Sequence, residues 1–85
     1  MNRKHQKTLQ AIFSVPTSAS INFSDIEKLL AALGAVVTEG SGSRLSFTIG
    51  SHKLFVHRPH PSKEAKKYQV EAIREFLKLV GVKNE

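Results

Sequence analysis

The chain contains no cysteine and no tryptophan, only 3 prolines, and 7 acidic residues against 13 basic ones. Without cysteine there are no disulfides, thiolate nucleophiles or zinc–cysteine sites, and a reducing cytoplasm is the compartment that fits. No apolar run is long enough to span a bilayer, and the charges at Arg3, Lys4 and Lys7 are not followed by the apolar core of an export signal. The expected protein is therefore soluble and cytoplasmic. The shortage of acids leaves a net charge of +6 and a pI near 10.0. A small basic domain is a candidate for polyanion binding, because each phosphate it neutralises releases condensed counterions. The same shortage argues against a metal site: His52, His57 and His60 have no Asp or Glu close to them in the strand region, so neither metal nor cofactor is expected. At 85 residues the chain has room for one small domain with a modest core.

What is present is patterned. Leu9, Ile12 and Phe13 recur at spacings of three and four, a short helical stripe over residues 3–14 ended by Val15-Pro16. Thr17 to Ser20 is a polar linker, and Ile21-Asn22-Phe23 a short extended piece. Ser24-Asp25-Ile26-Glu27 reads as a capping box, in which Ser24 and Glu27 would satisfy orphan backbone amides. Ile26, Leu29, Leu30 and Leu33 predict a helix closed by Gly34. Ala35-Val36-Val37-Thr38, short, β-branched and bounded by glycines, predicts a first strand, and Leu45, Phe47 and Ile49 alternate with Arg44, Ser46 and Thr48 in a second. Gly50-Ser51 marks a hairpin, with His52 to His57 as the third strand. A stripe of Tyr68, Ala72, Phe76 and Leu79, widened by Ile73 and Val80 and ended by Gly81, predicts a final helix. The fold class is therefore α+β: a three-stranded antiparallel sheet with helices packed on one face.

The third strand has two registers, and a one-residue shift exchanges its faces. Leu54 and Val56 are expected to face the helices, which turns Lys53, Phe55 and His57 outward beside Arg44, Ser46 and Thr48. Phe55 is nonetheless expected to be core, covered by Leu9, Ile12 or Phe13 from the N-terminal segment.

His57-Arg58-Pro59-His60-Pro61 places two imidazoles and a guanidinium on one elbow, because each proline fixes its own φ and holds the preceding residue extended. Histidine changes charge near neutral pH, with an unperturbed pKa of roughly 6.5, and arginine matches a phosphate with a planar fork. RNA cleavage needs a base for the 2′-hydroxyl, an acid for the leaving oxygen and cations for the phosphorane. His57, His60, Arg44 and Arg58 are the candidate catalytic residues, and hairpin pairing is expected to bring Arg44 toward His57. Ser43, Lys53, Lys63, Lys66 and Lys67 are the candidate RNA-binding residues. The bland alternative is a strand that ends at His57, two prolines that stop it, and charges that are merely solvated.

From Asp25 to Val82, about two thirds of the chain, the sequence resembles the HicA family of bacterial toxins. The resemblance lies in the Ile26 to Gly34 helix, the strand leading into Gly42-Ser43, the hairpin, Pro59-His60-Pro61, and the final helix closing at Gly81-Val82. It implies a double-stranded-RNA-binding-domain fold, helix, three strands, helix, at residues 25–85, preceded by an added helix and linker at residues 1–24. It also implies an mRNA interferase: an endoribonuclease acting on mRNA without a metal, neutralised by a HicB-type antitoxin. In that family a Gly-Ser-His motif after the first turn carries the catalytic imidazole, but Arg44 stands at that position here. A second triplet, Gly50-Ser51-His52, falls a full strand later. The alternative implied by the departure is a non-catalytic RNA-binding or antitoxin-binding domain of the same fold.

Overall fold

A computed structural model describes residues 1–84. The order is α1 (Arg3–Phe13), α2 (Phe23–Ala32), β1 (Val36–Glu39), β2 (Arg44–Ile49), β3 (His52–His57) and α3 (Lys67–Leu79). The strands form one antiparallel sheet in the order β1-β2-β3, with Val37 opposite Phe47 and Phe47 opposite Leu54. The helices pack on the face that carries Leu45, Phe47 and Val56, and all three supply the core: Leu9 and Ile12 from α1, Ile26, Leu29 and Leu30 from α2, Val70, Ile73, Phe76 and Leu77 from α3. This is the α+β sandwich that the alternation of β2 and the helical stripes predict.

Two helix ends follow directly from glycine. Gly34 and Gly81 have φ of +94° and +86°, left-handed values that a side chain would oppose. Each carries a Schellman pair: Ala35 N–H to the Leu30 carbonyl at 2.9 Å and Gly34 N–H to Ala31 at 3.0 Å, then Val82 N–H to Leu77 at 2.9 Å and Gly81 N–H to Lys78 at 3.1 Å. Each pair satisfies two of the carbonyls left over at its helix C-terminus.

α1 is joined to this core through α3. The Arg74 guanidinium donates to the carbonyls of Ile12 (2.8 Å) and Ser14 (3.2 Å), supplying the cation that the last turn of α1 lacks. Thr17 accepts from Arg74 and donates to Glu71, so the linker is held on the same helix.

Three sequence expectations are corrected. α2 starts two residues early, at Phe23, and Asn22 at its N-cap makes no side-chain cap bond. Ser24 Oγ instead donates to Asn22 Oδ1, and Glu27 turns away to Arg58, so no capping box forms. The start is set by pairing with the segment after β3: Phe23 N–H donates to the Lys63 carbonyl at 2.9 Å and Ala65 N–H to Ile21 at 2.8 Å. The buried stripe of α3 is Val70, Ile73, Phe76 and Leu77, which leaves Tyr68 and Leu79 exposed. Finally, Leu54 and Val56 do face inward, but α1 lies on that inner side too, so among the described residues nothing covers Phe55, which is 75 % exposed.

Candidate functional site

In an antiparallel sheet directly opposed residues share a face, so the register defines rows across the outer surface. Val36, Thr48 and Lys53 form one row; Thr38, Ser46 and Phe55 the next; Arg44 and His57 the third. Successive rows lie about 6.7 Å apart along the strand. The helices occupy the other face, and the outer face forms a groove of about 600 Å³ lined by Thr38, Arg44, Ser46, Lys53, Phe55 and His57 among others. Ser46 is buried although it points outward, because its small side chain lies in the central strand between larger neighbours. Lys53 Nζ lies 5.7 Å from the centre of the Phe55 ring, a cation–π contact on an open surface.

The third row is the most elaborated. Arg44 pairs with His57 across the strands, as hairpin pairing predicts. His57 Nδ1 is 3.3 Å from Ser43 Oγ, and Arg58 N–H donates to the Ser43 carbonyl at 2.8 Å, so the turn before β2 and the end of β3 hold each other. When Nδ1–H is the donor to Ser43 Oγ, the lone pair of Nε2 points away from the turn, the tautomer a general base requires.

Two residues outside the predicted site hold this end in place. Gln69, buried, donates from Nε2 to the His57 carbonyl at 2.7 Å and accepts the Lys66 N–H on Oε1 at 3.0 Å. It sits at the third position of α3, where a glutamine can reach back to the helix start, and that spacing is the signal that identifies it. Glu27 takes the Arg58 guanidinium in a two-pronged pair, Nε to Oε1 at 3.2 Å and Nη2 to Oε2 at 3.1 Å. Glu39 adds a longer contact of 3.9 Å. The Glu27 hydrogen bonds, then its charge, raise the Arg58 pKa above its ordinary value.

The candidates therefore separate. Arg44, Ser43 and His57 come together at one end of the groove, with Lys53 two rows away. Arg58 is engaged by Glu27. His60 is exposed, three residues past the strand. Lys63, Lys66 and Lys67 are exposed around the start of α3, which Gln69 ties to His57. His52 pairs with Ile49 at the hairpin tip, the far end of β3. Among the described residues no group of three or more His, Asp or Glu converges to hold a metal, and no helix is long and apolar enough to cross a membrane.

Residues 23–82 match the family model of the HicA toxin of bacterial toxin-antitoxin systems. No curated protein and no solved structure gives a significant match.

Proposed function

Because the chain belongs to the HicA toxin family of toxin–antitoxin systems, we propose that it binds RNA on the groove side of the sheet and cleaves mRNA there without a metal, in the cytoplasm. The juxtaposition of Arg44, His57 and Ser43 carries this reading. His57, with its ring fixed through Nδ1, takes the proton of a 2′-hydroxyl; the freed oxygen attacks the adjacent phosphorus; the bond to the 5′-oxygen breaks as that oxygen is protonated. The products are a 2′,3′-cyclic phosphate and a 5′-hydroxyl. His60 is the candidate acid, and Arg44 supplies positive charge to the phosphorane. Arg58, held by Glu27, acts by fixing the elbow that carries both histidines.

Affinity comes from phosphate contacts. Lys66 and Lys67 stand at the positive end of α3, whose first turn has no acid, and Lys63 is close by in sequence. Like charges at a helix N-terminus are unfavourable until an anion neutralises them. Lys53 and Ser43 extend the phosphate-binding surface along the groove. A HicB-type antitoxin inhibits by covering the same basic face.

Arg44 at the position of the family's histidine favours a second reading, in which the groove binds RNA or antitoxin without cutting. Incubating the protein with a long RNA in EDTA separates the two. Cleavage that is lost in His57→Ala supports the enzyme; intact RNA with salt-sensitive binding supports the binding domain.

A further inference from the structure

Phe55 is the largest apolar group on the outer sheet face, and it lies in the middle row of that face. Its neighbours across the sheet, Ser46 and Thr38, are small, so the ring stands over a low lane with no side chain tall enough to cover it. Along its own strand it is flanked by Lys53 on one side and His57 on the other, each about 6.7 Å away. Arg44 lies on the diagonal, within reach of a long side chain. The arrangement is an apolar flat surface with a cation or an imidazole on either side.

We infer, on the reading that this face binds RNA, that an unpaired base stacks on Phe55, with its flanking phosphates taken by Lys53 and Arg44, so that the substrate is single-stranded RNA. A duplex cannot use this surface, because the faces of its bases are buried in their own stack and only phosphates and 2′-hydroxyls are presented. A single strand offers both a free base face and phosphates on each side of it. Lys53 now lies over the ring. An exposed cation–π contact of that kind is worth about 2- to 5-fold in an equilibrium, against about 5- to 150-fold for a stacked base. The base therefore displaces the ammonium, which becomes free to bind the phosphate. Stacking there sets the adjacent phosphodiester over the Arg44–His57 row, so Phe55 determines which phosphate is presented as well as which form of RNA is taken.

The chain has no tryptophan, so Phe55→Trp places a single indole reporter in the groove. Titration with a short single-stranded RNA is expected to quench its emission, and the same sequence annealed to its complement is not. Phe55→Ala is expected to bind the single strand about 5- to 150-fold more weakly with duplex affinity unchanged, while Phe55→Tyr retains both. Because the ring is exposed, thermal unfolding of Phe55→Ala should match the parent, which removes misfolding as an explanation. Equal single-strand affinity in parent and Phe55→Ala, or equal quenching by the duplex, would overturn the inference while leaving RNA binding intact. So would a Phe55→Ala variant that keeps its RNA affinity and loses only its antitoxin partner. A parent protein that binds neither RNA overturns the broader proposal instead.

Discussion

The β2–β3 hairpin has a Gly-Ser turn at each end, and the two could be mistaken for one another by sequence. Gly42 and Gly50 both take left-handed conformations, with φ of +66° and +60°. Gly50-Ser51-His52 has the family's triplet of letters, yet His52 is exposed at the hairpin tip opposite Ile49. Gly42-Ser43-Arg44 lacks the histidine, but the sheet sets His57 directly opposite and Ser43 against its ring. The start of α3 reaches this end as well, through Gln69. His52 faces Ile49 where His57 faces Arg44, so the two ends teach that a shared triplet of letters does not carry shared surroundings with it.

Breaking one end at a time sharpens that contrast. His57→Ala is expected to lower RNA cleavage by about 10²- to 10⁴-fold, the usual worth of proton transfer; the rate of product formation under single-turnover conditions measures it. Arg44→Ala is expected to cost about 10²-fold in the same assay, as removal of a group that stabilises transition-state charge does. Gln69→Leu leaves the His57 carbonyl and the Lys66 N–H without their partner. Chemical denaturation is expected to show a loss of about 1–3 kcal/mol.

Glu27→Gln weakens the half-exposed pair with Arg58 and is expected to cost no more than about 1 kcal/mol. Arg58 has a raised pKa in the fold, so its contribution is complete below its unfolded pKa and is lost only as pH rises through the folded one. Parent and Glu27→Gln should therefore differ by the same amount throughout the neutral and mildly alkaline range. His52→Ala is expected to leave cleavage unchanged, and a loss comparable to that of His57→Ala would transfer the site to the hairpin tip.

Much of this layout can be read from the chain. The stripe of Ile26, Leu29 and Leu30, the closing glycines and the alternation of Leu45, Phe47 and Ile49 are local signals, and each element lies where they put it. The pairing of Arg44 with His57 follows from a short hairpin whose turn fixes its register. The misreadings have non-local causes. Ser24 looks like a cap until Phe23 is tied to Lys63, a partner forty residues away in sequence. Glu27 has a guanidinium to pair with only because β3 delivers Arg58 beside α2. Of the stripe Tyr68, Ala72, Phe76 and Leu79, widened by Ile73 and Val80, Phe76 and Ile73 are buried as their spacing predicts, but α3 docks through Val70 and Leu77 beside them, which leaves Tyr68, Ala72 and Leu79 exposed. Phe55 has the chemistry of a core residue, and its exposure depends on which side of the sheet α1 occupies, which no local pattern records.

The most direct test of where RNA binds is amide NMR of the protein titrated with a short RNA. Shifts are expected at Thr38, Arg44, Ser46, Lys53, Phe55 and His57 and around Lys66 and Lys67, with Gly50, Ser51 and the exposed faces of α1 and α2 unmoved. Shifts concentrated at the hairpin tip or on α1, with the Arg44–His57 row unchanged, would contradict the assignment of the groove.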